Sequence, residues 1–312
     1  MQPALVFMGT PDFAVPPLEA LHAAGFRIPL VVTQPDRPKG RGRGVAAPPV
    51  KEAALRLGCE VAQPPKVRAP EFIDRLKPMA PDFLVVVAFG QILPQSILQI
   101  PMAGSINIHA SLLPKYRGPA PIQWAILRGE RQTGITTMLM DVGVDTGDIL
   151  LQRATDIQDT ENADHLHHRL SRMGAEMVVE TLHRLRLGTL FPYSQKHDDA
   201  TYAPMLRKHD GRIQWEQSAG RIDALIRAMT PWPGAYCFWG QKRLKIIQAR
   251  GLEGVHIEAP PGTVVAGFPD ELRVATTQGV LQILQIQSDS GKRMAVKDFL
   301  RGHPLVPGST LK

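Results

Sequence analysis

The chain is nearly without cysteine. Only Cys59 and Cys237 occur in its 312 residues, far apart and in no C-x-x-C or metal-ligating spacing. That excludes a disulfide framework and a thiolate metal site, and it fits reduced structural thiols in a cytosolic protein. Long apolar runs are missing as well, and none approaches the roughly 20 residues of a membrane span. The apolar start, Met1–Gly9, is short and lacks a basic lead, so it reads as a first strand and not as a signal peptide. Neither G-x-G-x-x-G nor G-x-x-x-x-G-K-[ST] is present, which disfavours a dinucleotide or a P-loop nucleotide. There is no internal repeat and no low-complexity tract. These absences together point to a cytoplasmic protein of bacterial type that avoids the membrane.

What remains is ordinary for a soluble chain, with 44% hydrophobic residues. Its length exceeds one core and implies two domains. The net charge of +7 is unevenly spread. Residues 1–206 carry 21 Lys and Arg against 20 Asp and Glu, a net of +1, whereas residues 207–312 carry 15 against 9, a net of +6. A basic last third on a near-neutral remainder suggests a polyanionic partner, with nucleic acid the leading class.

Ala4–Met8 and Asp82–Ala88 read as buried parallel strands. Further strands are expected over Ile28–Thr33, Ser105–His109, Thr133–Met140 and Ile149–Ala154, with helices over Val50–Leu57 and Glu161–Leu187. This β-α-β order predicts an α/β fold with a Rossmann-like, doubly wound, mostly parallel sheet. Periodicity fails from Leu190 to Met205, as in a linker. Beyond it a helix over Ser218–Met229 precedes five short strands, at Ala235–Trp239, Arg243–Ala249, Gly262–Val265, Leu272–Thr276 and Val280–Ile286, the pattern of a small OB-like β-barrel. The expected division is therefore 1–189, a linker over 190–206, and 207–312.

The chemistry concentrates in Ser105–Gly118. Asn107 and His109 are two apart on a strand, so they share a face while Ile106 and Ile108 turn to the core. Asp141-Val-Gly-Val-Asp145-Thr-Gly-Asp148 follows a strand as a tight acidic loop, either a simple hairpin turn or a source of a carboxylate beside Asn107 and His109. It lacks EF-hand spacing. His165 and His168 lie one turn apart without a third ligand and read as a solvated helix face. The loop Gln34–Val45 interleaves Arg37, Lys39, Arg41 and Arg43 with glycines, which suits either a solvated loop or a phosphate contact.

The set Asn107-Ile-His109, Ser111-Leu-Leu-Pro114, Arg117-Gly118 and Asp145-Thr-Gly-Asp148 resembles the folate-dependent formyltransferases. Gly9-Thr-Pro-Asp-Phe13, Thr33-Gln-Pro-Asp-Arg-Pro38, Gly40-Arg-Gly42, Tyr202-Ala-Pro204, Gly211-Arg-Ile-Gln-Trp215 and Pro231-Trp-Pro-Gly-Ala235 extend the resemblance over nearly the whole chain, toward the branch that acts on methionyl-tRNA. The resemblance implies formyl transfer from the co-substrate 10-formyltetrahydrofolate to the α-amino group of methionine on initiator tRNA, with no metal. Asn107, His109 and Asp145 would be catalytic. Phe89, Gln91, Ile92, Leu93, Ser111, Leu112, Leu113 and Pro114 would bind folate. Arg37, Lys39, Arg41 and Arg43 would approach the acceptor stem, with Arg41 making the key contact, and 207–312 would hold the tRNA from outside. A monomer is expected. The alternatives are a formyltransferase acting on an amino or nucleotide sugar or another small amine, a formyltetrahydrofolate hydrolase, and a non-catalytic RNA-binding protein.

Overall fold

Two wholly apolar runs, Ala4–Gly9 and Phe83–Val87, are buried at every position, as strands covered on both faces must be. In the computed structural model these are β1 and β6, the middle of a seven-stranded sheet of order β5-β2-β1-β6-β7-β8-β9. Its other members are β2 (Arg27–Val32), β5 (Val61–Ala62), β7 (Gly104–His109), β8 (Gln132–Leu139) and β9 (Ile149–Asp156). Residues 3–39, 44–255, 257–266, 269–289, 291–303 and 305–312 are described. They fall into two units, one of residues 1–121, 133–155 and 167–203, the other of 122–132, 156–166 and 204–312.

In the first unit β2, β5, β6 and β7 continue the sheet in parallel from β1, and β8 turns antiparallel on β7. The Rossmann-like expectation holds. Because β2 lies on one side of β1 and β6 on the other, the order reverses between β1 and β6, and in open α/β sheets ligands bind at the carboxyl ends of the strands beside such a reversal. Helices α1 (Val15–Ala23), α2 (Pro49–Arg56), α3 (Pro70–Leu76) and α4 (Gln95–Leu98) connect the parallel strands. Leu18 and Leu21 of α1 are buried. The strong helical periodicity after Glu161 becomes α6 (Ala163–Arg186). From His167 onward it lies on the sheet so closely that a β-carbon on Gly174 would sit 2.9 Å from Ile108 Cγ2. The hydroxyls of Thr181 and Thr137 bond across at 2.9 Å. The short hairpin β3 (Arg37–Lys39) and β4 (Gly44–Ala46), like α3 and α4, carries too little period to be read in advance.

In the second unit β10 (Ala235–Trp239), β11 (Lys242–Leu252), β12 (Leu272–Ala275), β13 (Val280–Ser288) and β14 (Met294–Ala295) form a curled antiparallel sheet. Its free edges are joined by bridges Val264–Val274, Thr263–Thr310 and Trp239–Leu311, as an OB-like barrel requires. Helix α7 (Ala219–Met229) is N-capped by Ser218, whose hydroxyl accepts from Arg221 N at 3.3 Å. Helices α5 (Pro121–Leu127) and α8 (Val296–Gly302) complete the elements. Cys237 is inside the sheet, and burial pushes its thiol up to about 12. No helix among the described residues is long and apolar enough to cross a membrane.

Candidate functional site

Strand alternation decides which side chains β7 offers. Ile106 and Ile108 are buried in the core, while Asn107 is half-buried on the opposite face beside a buried His109. Asn107 pairs in register with Val86 of β6 and Met138 of β8, so the site stands at the carboxyl end of the parallel strands. Asp145 comes to it from the loop after β8. Asn107 Nδ2 donates to Asp145 Oδ1 at 3.4 Å. His109 Nδ1 lies 3.6 Å from Asp145 Oδ2, and the Gly118 N–H donates to that same oxygen at 2.7 Å. The three side chains singled out in the sequence therefore meet on one carboxylate.

The loop is built to deliver that carboxylate. Asp141 Oδ1 accepts from Gly143 N at 3.0 Å and from Thr146 Oγ1 at 2.7 Å, closing a turn. Gly147 passes so near β8 that a β-carbon would sit 1.8 Å from the Leu139 carbonyl. Asp145 itself takes φ of +54°, in the left-handed region. His109 Nε2 is 2.9 Å from the Tyr116 carbonyl oxygen, so both ring nitrogens face oxygens. A ring carrying protons on both nitrogens meets both acceptors. Donation from Nε2 to a ligand requires that it leave Tyr116. Among the described residues the Asn107 amide donates only to Asp145, in a long contact, which leaves its second hydrogen for an incoming oxygen.

The expected folate residues divide. Phe89 and Leu93 are buried in the core beside the sheet, and the Phe89 carbonyl accepts from Thr10 Oγ1 at 2.8 Å. Gln91 is turned to the 64–67 segment, accepting from Val67 N at 2.9 Å and donating to the Pro64 carbonyl at 3.4 Å. Ser111 is buried and donates to the Lys115 carbonyl at 2.6 Å. Leu113 packs with Met138 and Ile149, and Leu112 and Pro114 are half-buried. Ile92 alone of this group is fully presented, at 81% exposure. Val142 and Val144, in the Asp145 loop, are also exposed. Exposed apolar side chains on the loops from β6 and β8, the two strands that flank β7, fit a flat heteroaromatic ring.

Arg37 is exposed and donates to Gln34 Oε1 at 3.1 Å. The backbone of Lys39 ends β3, and Arg41 and Arg43 lie outside the described residues. Asp36, just before the hairpin, is held below the usual carboxylate range by hydrogen bonds from the Lys51 ammonium and the Gln63 amide. Among the described residues no group of three or more His, Cys, Asp or Glu is placed to hold a metal ion. Three supports of the site have no mark of their own in the sequence: Tyr116, whose carbonyl faces His109, and two partners of Asp145, Gly118 through its N–H and Gln195 through its amide. Tyr116 and Gly118 act through the backbone, and Gln195 lies 50 residues downstream, so no local pattern marks them.

The second unit offers a surface of another kind. Alternation on β10 and β11 turns Tyr236 and Phe238 outward opposite Lys245 and Arg243. Arg243 stacks over Tyr236 at 5.6 Å and Arg212 over Phe238 at 5.9 Å. Cations over half-buried aromatic rings on an outward face suit a polyanion with stackable bases.

Two family models match the chain, "Formyl transferase" over residues 2–182 and "Formyl transferase, C-terminal domain" over 205–304. A methionyl-tRNA formyltransferase of Caldanaerobacter subterraneus is 50% identical over 309 residues, spanning 99% of both chains. That of Geobacter metallireducens is 51% identical over 311 residues, covering 99% of this chain and 98% of its own. Among solved structures, an N-formyltransferase from Helicobacter canadensis, in complex with folinic acid and dTDP-3-aminofucose, superposes with a TM-score of 0.68 at 19% identity, covering 94% of this chain and 100% of its own. HypX from Aquifex aeolicus superposes over 97% of this chain and 48% of its own, with a TM-score of 0.65 at 18% identity.

Proposed function

The chain belongs to the formyl transferase family, and from that premise we propose that it transfers a formyl group from 10-formyltetrahydrofolate to the α-amino group of methionine esterified to initiator tRNA, in the cytoplasm, for translation initiation. The observation that carries the chemistry is the meeting of Asn107, His109 and Asp145 at one strand edge. Near-full-length identity of about half with methionyl-tRNA formyltransferases favours this acceptor over an amino or nucleotide sugar.

In the proposed step the amine lone pair attacks the formyl carbon and the carbonyl electrons move onto oxygen. Asn107 Nδ2 donates to that developing oxyanion, a contribution of roughly 3–4 kcal/mol for one such donor. Protonated His109 adds a charged donor once its Nε2 exchanges Tyr116 for the substrate. Asp145 takes the amine proton, directly or through a water, and holds the imidazolium beside it. Collapse expels the folate nitrogen, which takes up a proton. Donors and a base suffice, and we assign no metal to the step. The exposed Ile92 side chain, the backbone of 89–93 and the wall of Ser111, Leu112, Leu113 and Pro114 receive the folate.

Arg37, Lys39, Arg41 and Arg43 approach the acceptor stem, and residues 207–312 grip the tRNA through the Tyr236–Arg243 face, reading phosphates and shape. Residues 1–189 supply the reacting groups, 190–206 join the two parts while reaching back to the Asp145 loop through Gln195, and the protein acts as a monomer. The test is a formyl-transfer assay with 10-formyltetrahydrofolate and four acceptors: methionyl initiator tRNA, free methionine, methionyl elongator tRNA and a nucleotide-linked amino sugar. Efficient formylation of the initiator alone is the expected result. Equal use of free methionine or preference for the sugar overturns the assignment.

A further inference from the structure

The segment 195–203 grips Asp145 from two sides. Gln195 is 5% exposed and its carboxamide is fully used. Its Nε2 donates to the carbonyl oxygens of Asp145 at 3.0 Å and Gly147 at 2.7 Å. Its Oε1 accepts from Arg117 Nε at 3.1 Å and Nη2 at 2.7 Å. Arg117 is 3% exposed, and its Nη2 also lies 3.1 Å from His197 Nδ1. The backbone of Arg117 is fixed in turn: its N–H donates to the Thr201 carbonyl at 2.9 Å, and its carbonyl accepts from Ala203 N at 2.8 Å. The next residue, Gly118, gives its N–H to the Asp145 carboxylate. Gly118 has φ of +119°, and a β-carbon there would sit 2.7 Å from the Ala203 carbonyl.

Residues 117 and 118 thus reach Asp145 twice, at its carboxylate through Gly118 and at its backbone through Arg117 and Gln195. The left-handed backbone of Asp145 persists only where its surroundings over-determine it, and two amide hydrogens on neighbouring carbonyls do that. We propose that Gln195, locked by the fork of Arg117, is a positioning residue that sets the Asp145 carboxylate against Asn107 and His109. The inference rests on the role given to Asp145 above. Only a carboxamide serves here, since it accepts two hydrogens from a guanidinium at one end and donates two to carbonyls at the other. A glutamate in its place keeps size and pairs well with Arg117 but turns a bare oxygen toward two carbonyls. A lysine in place of Arg117 lacks the planar fork.

The experiment compares Gln195→Glu, Gln195→Ala, Arg117→Lys and Asp145→Asn, alone and with Gln195→Ala added to Asp145→Asn. It measures kcat, KM for each substrate, thermal midpoint and hydrogen exchange across residues 141–148. Misplacement of a reacting group by about 1 Å costs on the order of 100-fold. Gln195→Glu is therefore expected to lose about 10- to 100-fold in kcat, with both KM values near wild type, a lowered midpoint that leaves the protein folded at the assay temperature, and faster exchange confined to 141–148. In the Asp145→Asn background Gln195→Ala should cost nothing more, because the two act as one unit. Gln195→Glu with wild-type kcat beside an inactive Asp145→Asn overturns this inference alone, as does a Gln195→Ala loss carried undiminished into Asp145→Asn. A fully active Asp145→Asn brings down the assignment of Asp145, and this inference with it.

Discussion

The Asp145 loop and the outer face of β10 and β11 are built in opposite ways. Around Asp145 the contacts are buried and converge: Gly118, Asn107 and Gln195 all meet one residue. On β10 and β11 the groups are spread along the surface, Arg243 and Lys245 opposite Phe238 and Tyr236. A buried network fixes geometry, and losing one member leaves others unsatisfied. An exposed array of charges and rings adds many weak, screened contacts, and each is replaceable. The first arrangement suits a reaction that tolerates no error in position, the second a large partner recognised by charge and stacking. Damage to the first should appear in kcat, and damage to the second in KM and its salt dependence.

The sharpest break is at the site. Asn107→Ala is expected to lose about 100- to 1,000-fold in kcat, the cost of one oxyanion donor. His109→Ala should lose on the order of 100- to 10,000-fold. Circular dichroism and thermal midpoint should stay close to wild type in Asn107→Ala, because that side chain is only half-buried. Near-normal turnover in His109→Ala would sink the mechanism. Gly118→Ala comes next and differs in kind. Its β-carbon meets a backbone oxygen at 2.7 Å, so the 117–118 turn must shift and turnover and thermal midpoint should fall together. A variant that loses turnover with an unchanged midpoint would mean that the Ala203 contact is not what fixes this turn.

How much of this was legible in the sequence follows the same division. The strands of the first unit expected from the sequence, β1, β2, β6, β7, β8 and β9, are all present, and β1, β6 and β7 are those whose period or continuous burial leaves no choice of face. Asn107 and His109 were legible because alternation on β7 fixes their side. Asp145 was legible as a residue but not in its contacts, since its backbone conformation depends on residues far along the chain. The burial of Arg117 is not legible for the same reason, since its partners Gln195 and His197 lie 78 and 80 positions away. Four of the barrel's strands are visible from their turns, but Gly262–Val265, expected as a fifth, pairs only through isolated bridges, β14 carries too little period to be read, and closure uses the last residues of the chain. Lys312 exchanges backbone hydrogen bonds with Phe238, a pairing that no periodicity announces.

A smaller effect is expected on the outer face. Arg243→Ala and Lys245→Ala should leave KM for the folate unchanged while weakening tRNA binding. If each meets one phosphate, the slope of log affinity against log salt should fall by about one per residue. Titrating tRNA affinity between about 50 and 200 mM salt reads this directly. Identical slopes in wild type and both variants would remove this face from the tRNA contact and leave the Arg37–Lys39 hairpin as the basic element to test.

The smallest effect joins the two kinds of surroundings, at the foot of that hairpin. Asp36 is partly exposed, yet Lys51 Nζ and Gln63 Nε2 each reach it at 2.7 Å and hold its carboxyl below the ordinary 3.8. A carboxylate depressed in the folded state contributes stability above its unfolded value, and that contribution is lost as pH falls through the lower folded value. Its contribution should therefore be fully present at neutral pH, begin to decline from about pH 5 as the unfolded value of 3.8 is approached, and be lost as pH falls through the lower folded value. Carbon-detected NMR titration of the Asp36 carboxyl should give a midpoint under 3.8, and Lys51→Met should bring it back toward that value with little change in kcat. A midpoint unmoved by Lys51→Met would mean that the ammonium does not hold Asp36, and that this hairpin depends on its backbone pairing instead.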